Sequence, residues 1–239
     1  MNSRRGARLA LVTGANKGIG KEIARGLARL GLVVLIGSRD VGRGRAAARE
    51  LSEDGAVLDV QLDVTDRASI ERVVLLIQND YGHLDVLINN AGTNVGYQKP
   101  SEVTAEDFRA VYETNVFGVV TLTNALLPLL LRSDAGRIVN VTSVRGSIGA
   151  EAAWVGQPSM PYSTSKTALN AITVHYSREL ANTPIKVNGA APGHVATDFN
   201  GFRGTRSPAE GAAIAIRLAT LDASGPSGGV FDDSGKLPW

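Results

Sequence analysis

Residues 8–30, RLALVTGANKGIGKEIARGLARL, decide the fold. Arg8–Thr13 is a short, mostly apolar run, as expected of a strand buried on both faces. Ile19–Leu30 places Ile19, Ile23, Leu27 and Leu30 at three-to-four spacing, the pattern of an amphipathic helix, and Gly31 follows as a terminator. Between the two, Gly14, Gly18 and Gly20 form a GxxxGxG loop. Such glycines let the backbone turn tightly and approach a pyrophosphate, which the unpaired N–H groups and positive dipole end of the next helix attract. A Walker A loop is excluded. Glu22 stands where Ser or Thr belongs after Gly20-Lys21, and Ala15 where the first glycine belongs.

The same alternation continues outward. Further strands are expected at Leu32–Gly37, Ala56–Asp63, Leu84–Asn89, Arg137–Thr142 and Ile185–Ala190, with a last short one at Gly229–Phe231. Helices are expected at Gly42–Glu53, Arg67–Tyr81, Ala105–Arg132 and Ser163–Ala181. Thr65 and Asp66 open the third helix, and Thr104 three residues before Asp107 is a capping signal. The pattern contains no linker, repeat or low-complexity tract. It predicts one α/β domain over residues 1–239, a Rossmann-type doubly wound parallel sheet with helices on both faces.

Composition removes several function classes. The 239 residues are 44% hydrophobic and 20% charged, typical of a globular chain. Without cysteine there are no disulfides, thiolate nucleophiles or Cys-based metal sites. His83, His175 and His194 are far apart, so no metal is expected. The pI near 9.0 accompanies a net charge of only +2, because little titrates between about pH 7 and 9, and no nucleic-acid partner is expected. Residues 1–50 carry eleven Lys/Arg against three Asp/Glu, which suits an anionic small ligand or a solvated basic helix face. The first apolar run, Leu9–Val12, is too short for a signal peptide, and Val119–Leu131 is broken and falls short of the roughly 20 residues of a membrane span. A cytoplasmic protein with no membrane contact is expected.

Two local patterns point to chemistry. The second strand ends in Ser38-Arg39, where an NAD site usually carries an acidic residue for the ribose 2′-hydroxyl. Arg39 with Lys17 would instead suit a 2′-phosphate, so NADP(H) is the expected cofactor; Asp40 could pair with Arg39 and blunt that argument. Tyr162 and Lys166 lie one helical turn apart. A free phenol, with a pKa near about 10, needs a close ammonium to lower it for acid–base work at neutral pH. Ser143 sits at the end of the fifth strand, where open α/β sheets place their chemistry, and not in a GxSxG elbow.

With Thr13–Gly20, Asp63-Val64, Asn89-Asn90-Ala91-Gly92, Asn115, Ser143, Tyr162 with Lys166, and Pro192-Gly193 with Thr197 in this order, the chain resembles the short-chain dehydrogenases/reductases over nearly its whole length. The TGANKGIG loop, Arg39 and the closing Phe231…Pro238-Trp239 resemble the NADPH-dependent carbonyl reductase branch. The resemblance implies reduction of a ketone or aldehyde by hydride transfer. Gly14, Asn16, Lys17, Gly18, Ile19, Gly20 and Arg39 would hold the phosphates. Asp63 and Val64 would flank the adenine, unless Asp63 only caps the next turn, and the Asn89–Gly92 turn, with Asn89, Ala91 and Gly92, would line the cofactor and steady the central sheet. Pro192, Gly193, Val195 and Thr197 would meet the nicotinamide end, Val195 and Thr197 holding its carboxamide. Tyr162 would be the general acid. Lys166 would lower its pKa and bind the nicotinamide ribose, Ser143 would bind the carbonyl oxygen, and Asn115 would hold a proton-relay water. The residues leave two alternatives open: an NAD-dependent alcohol dehydrogenase, or a non-catalytic NADPH-binding or regulatory module.

Eighteen residues separate Ser143 from Tyr162. Longer insertions there accompany monomers in the family, so a homodimer or homotetramer through the two long helices is expected here. Phe199–Pro208 would be a lid over the substrate. Trp154, Val155, Met160, Val95, Tyr97, Phe199 and Phe202 are candidate walls for an apolar carbonyl compound, while Arg203 and Arg206 could take a carboxylate.

Overall fold

The computed structural model describes residues 7–239. Seven strands run parallel: β1 (Leu9–Thr13), β2 (Val33–Ser38), β3 (Val57–Gln61), β4 (Val86–Asn89), β5 (Arg137–Val141), β6 (Lys186–Ala190) and β7 (Val230–Asp232). A two-residue β8 (Gly235–Lys236) closes the edge antiparallel to β7. The order is β3-β2-β1-β4-β5-β6-β7-β8, so the winding reverses between β1 and β4. In open α/β sheets that reversal opens a crevice beyond the carboxyl ends of the strands.

Alternate strand residues feed two cores. Ala10, Val12, Val34, Ile36 and Ile88 pack with α1 (Gly18–Arg29), α2 (Val41–Leu51) and α7 (Pro208–Ala219). Leu9, Leu11, Leu35, Leu87 and Ile138 pack on the other face with α3 (Arg67–Asp80), α5 (Gly118–Leu130) and α6 (Met160–Glu179). At the end away from the crevice, the buried Arg137 donates to the carbonyls of Gly136, Pro184, Leu221 and Asp222 at 2.6–3.2 Å.

The doubly wound sheet is as expected, with local differences. Helix α7 is not among the expected helices, although Ser207 and Glu210 form a capping box around Pro208, a legible start signal. β8 also goes beyond the expected strands. The helix expected over Ala105–Arg132 is α4 (Ala105–Tyr112) and α5 joined by a π-helical turn at Glu113–Phe117. Helix α6 starts at Met160, three residues before the expected boundary, because Pro161 in the first turn gives up an N–H that would lack a partner there. Among the described residues, Ala105–Leu130 is long and apolar enough to cross a membrane. Its Leu122, Leu126, Leu129 and Leu130 are buried against the sheet, so the core accounts for that apolarity.

Candidate active site

At the switch point β1 runs into the glycine loop. Gly14 and Gly18 adopt φ of +63° and +56°, the left-handed region that side chains disfavour. A Cβ on Gly20 would lie 2.3 Å from Asn90 Nδ2 and 2.8 Å from Gly14 O, so this position has no room for a side chain. Asn90 Nδ2 donates to Thr13 O (2.8 Å) and Gly14 O (3.2 Å). The backbone N–H groups of Asn90 and Ala91 both donate to Thr13 Oγ1 at 2.9 Å. The loops after β1 and β4 are thus stitched into one wall. Asn16, Gly18 and Ile19 remain part-exposed along it.

The structure changes several expectations about this wall. Asn89 steadies the central sheet rather than lining the crevice: it is buried, donating to Asn140 Oδ1 (2.8 Å) on β5 and Thr123 Oγ1 (3.2 Å), because as the last residue of β4 it alternates onto the α5 side. Asp63 accepts from Thr65 N (3.0 Å) and Thr65 Oγ1 (2.8 Å), closing the turn before α3. Val64 is buried in the α3–α5 core. Asp40 does not neutralise Arg39: it accepts from Arg43 N (2.9 Å) as the N-cap of α2 and faces Arg43 Nε at 3.7 Å. Arg39 is exposed at the tip of β2 and has no ion pair among the described residues. Lys17, expected to face a 2′-phosphate together with Arg39, is paired with Asp198.

The catalytic candidates come together on β5, α6 and the π turn. Ser143 caps the short turn Val144–Gly146, its Oγ accepting from Arg145 N at 3.2 Å. Thr142 Oγ1 donates to Asn170 Oδ1 (2.6 Å), and Asn170 Nδ2 to Gly146 O (3.2 Å), pinning α6 against this loop. A Cβ on Gly146 would lie 2.7 Å from the backbone of Lys166, so the two segments touch at main-chain distance. Lys166 is buried; its Nζ donates to Val141 O (2.8 Å) and lies 5.6 Å from the centre of the Tyr162 ring. Asn115 is buried in the π turn, a feature frequent at functional sites. Its Nδ2 donates to Thr93 O and Ser165 Oγ, both at 3.0 Å, and its Oδ1 accepts from Thr93 N at 2.8 Å. Both donor hydrogens are therefore spent on tying the loop after β4 to α6, and a relay water would have to use an oxygen of Asn115.

Titration runs opposite to the expectation drawn from spacing. Burial pushes the Tyr162 phenol up to about 12, with Tyr97 adding to the rise and a hydrogen bond from Ser143 and the charge of Arg145 opposing it. Burial brings Lys166 down to about 8. The chain's own residues thus keep the phenol protonated, and the expected lowering by Lys166 is not what they produce. The reason is physical: spacing on a helix fixes a shared face, but desolvation of both groups outweighs it.

The segment after β6 lies over this cluster. Val195 is buried, and Thr197 with Asn200 forms a capping box around the turn Asp198–Asn200. Phe199 lies 5.4 Å from the Tyr162 ring, and the Arg203 guanidinium 5.4 Å from the Tyr97 ring. Gly193 adopts φ +79° beside Arg206, which pairs with Asp233, so Arg206 is not a free carboxylate site. Of the candidate walls, Phe199 and Tyr97 face the crevice, whereas Trp154, Val155 and Phe202 are about 70% exposed.

The pattern of the short chain dehydrogenase family matches residues 8–207. This chain belongs to that family. A short-chain dehydrogenase of Penicillium roqueforti (strain FM164), anuI, is 38% identical over 223 residues, covering 89% of this chain and 88% of its own. Human Carbonyl reductase (NADPH) 1 is 34% identical, covering 98% of this chain and 99% of its own, so the relationship is carbonyl reductase-like. Among solved structures, NADPH-bound carbonyl reductase from chicken fatty liver superposes with a TM-score of 0.87 at 28% identity, covering 98% of this chain and 99% of that one. Salutaridine reductase from Papaver somniferum gives 0.83 at 31%, covering 95% and 99%.

Residues that sequence reasoning passed over help hold this short-chain dehydrogenase site in shape: Asn140, Thr142, Asn170 and Thr173, beneath the glycine loop that Thr13 and Asn90, both quoted in the family pattern, stitch together. A signal existed for part of this set. Lys166, Asn170 and Thr173 recur at helical spacing on the inner face of α6, an unusual polar stripe for a buried face.

Proposed function

We propose that the protein reduces an apolar ketone or aldehyde with NADPH. The observation that carries this reading is the convergence of Ser143, Tyr162 and Lys166 at the carboxyl edge of the sheet, beside a glycine cradle that admits no side chain at Gly20. That cradle and the exposed Arg39 fit a dinucleotide carrying a 2′-phosphate. The NADPH in the names of the human and chicken carbonyl reductases supports the same cofactor.

The dinucleotide, when bound, supplies the hydride. Arg39 holds the 2′-phosphate, with Lys17 as its second cation. Gly14, Asn16, Gly18, Ile19 and Gly20 receive the pyrophosphate, and Asp63, part-exposed ahead of the buried Val64, borders the adenine. Ala91 and Gly92 line the ribose side, and Pro192, Gly193, Val195 and Thr197 the nicotinamide end. Ser143 Oγ and Tyr162 OH donate to the carbonyl oxygen, so charge developing there meets two preplaced donors. A phenol held near about 12 arrives with its proton and gives it up as that oxygen becomes an alkoxide. Lys166 binds the nicotinamide ribose and, through water at Asn115, restores the proton. Tyr97 and Phe199 make the apolar wall. Assembly through the long helices belongs to the same reading, supported by the half-exposed Phe117 in the π turn.

The test is consumption of NADPH against aliphatic, aromatic and quinone carbonyls, with NADH in parallel. Turnover with a strong NADPH preference is expected. Equal use of NADH would instead support an NAD-dependent alcohol dehydrogenase, and tight cofactor binding with no turnover of any carbonyl a non-catalytic module.

A further inference from the structure

The segment after β6 touches the cofactor side of the crevice as well as the substrate side. Asp198, the first residue of the turn Asp198–Asn200, pairs with Lys17 Nζ in the glycine loop. This contact does not stand alone, because a Cβ on Gly18 would lie 3.3 Å from Thr197 Cγ2, so the two loops pack closely just beside the pair. The carboxylate is presented by a built turn. Thr197 and Asn200 cap it reciprocally, and Gly201 and Phe202 reverse the chain at φ +64° and +60°, the latter unusual for a side-chain-bearing residue. A cavity of about 380 Å³ opens between Lys17, Lys21, Thr197, Asp198 and Phe202. On the substrate side the same segment holds Phe199 against Tyr162 and Arg203 over Tyr97.

Of the two cations that suit a 2′-phosphate, Arg39 has no ion pair among the described residues, whereas Lys17 is occupied by the chain's own carboxylate. A lysine ammonium is a compact point charge, so a carboxylate and a phosphate dianion compete for it. We propose that Asp198 is a specificity-determining residue whose carboxylate competes with the 2′-phosphate of the cofactor for Lys17. A 2′-phosphorylated nucleotide thereby detaches the turn from the glycine loop, and Asp198 lowers the preference for 2′-phosphate that Lys17 and Arg39 alone would give. The inference rests on the NADPH reading above.

The test uses 2′,5′-ADP and 5′-AMP as probes, with calorimetric binding to wild type, Asp198→Asn, Lys17→Met and the double variant. The amide of Asp198→Asn keeps the shape of the side chain and removes its charge. Both partners are about half exposed, so the pair is worth roughly a 2- to 5-fold change in affinity. Asp198→Asn should tighten 2′,5′-ADP by that factor and leave 5′-AMP unchanged. The gain should vanish in the Lys17→Met background and at about 0.5 M salt, where exposed charges are screened. As a second readout, saturating 2′,5′-ADP should speed tryptic cleavage at Arg203 in wild type, and Asp198→Asn should be cleaved at that faster rate without nucleotide. An unchanged 2′,5′-ADP affinity in Asp198→Asn, with weakened binding in Lys17→Met, overturns the competition and leaves the NADPH reading standing. If 2′,5′-ADP binds no tighter than 5′-AMP to any of the four proteins, the NADPH reading itself fails and takes the proposal with it.

Discussion

Replacing Asn115 with alanine should loosen α6, the helix of Tyr162 and Lys166, as well as weaken the fold. The side chain is buried and makes three hydrogen bonds at 2.8–3.0 Å, two with the backbone of Thr93 and one with Ser165. Ser165 keeps a second partner, since its Oγ also donates to Tyr162 O at 2.7 Å, so it loses least. The Thr93 N–H and C=O lose their bonds to Asn115, at a cost of about 1 kcal/mol each where water can reach them. The cavity left by the amide adds to this, giving about 2–4 kcal/mol in total. For a chain of this size that is a fall in Tm of roughly 5–12 °C. Because Ser165 lies between Tyr162 and Lys166, kcat should fall at least about tenfold, as small misplacements of reacting groups do. Calorimetric melting and turnover at saturating NADPH measure the two effects. A Tm within about 2 °C of wild type would refute the reasoning, because it would mean that Asn115 does not join the loop after β4 to α6.

Gly20→Ala forces a methyl to within 2.3 Å of Asn90 Nδ2 and 2.8 Å of Gly14 O. It should cost about 1–3 kcal/mol of stability and at least about tenfold in dinucleotide affinity; unchanged affinity by calorimetry would contradict the cradle. Arg137→Met strips four carbonyls of their donor, that of Gly136 buried and those of Pro184, Leu221 and Asp222 part-buried, and should cost about 2–3 kcal/mol in denaturant unfolding. The folded enzyme should stay near normal in turnover, because Arg137 opens β5 at the end opposite Ser143. With Lys166 brought down to about 8 and Tyr162 up at about 12, the forms needed for reduction, a charged lysine and a protonated phenol, are both the low-pH forms. Reductive kcat/KM should therefore be flat below pH 8 and fall with one proton lost above it; a rate that climbs through pH 8 would contradict the assignment.

The strands were legible because parallel strands covered on both faces read as unbroken apolar runs, as in Leu9–Thr13 and Val33–Ser38. Helix α7 was legible as well: Ser207-Pro208-Ala209-Glu210 is a start signal, obscured only by reading Phe199–Pro208 as a lid. The π turn was not, since one extra residue at Glu113–Phe117 scarcely disturbs the apolar spacing of a long helix. Strand alternation separates Asn89 from Asn90, sending the first into a pair with Asn140 and leaving the second to hold the glycine loop. The Tyr162–Lys166 spacing made a shared face legible but not its dryness, and dryness sets the pKa values. The pairing of Lys17 with Asp198 joins residues from opposite ends of the chain, so no local pattern announces it.

The most direct measurement on the central claim is a comparison of wild type with Tyr162→Phe, in both NADPH binding and turnover of the best carbonyl substrate. If the phenol is the proton donor, NADPH affinity should stay within about threefold while kcat falls by about 10²–10⁴, the usual contribution of general acid catalysis. Turnover within tenfold of wild type, with binding intact, would contradict the account and remove Tyr162 from the chemistry.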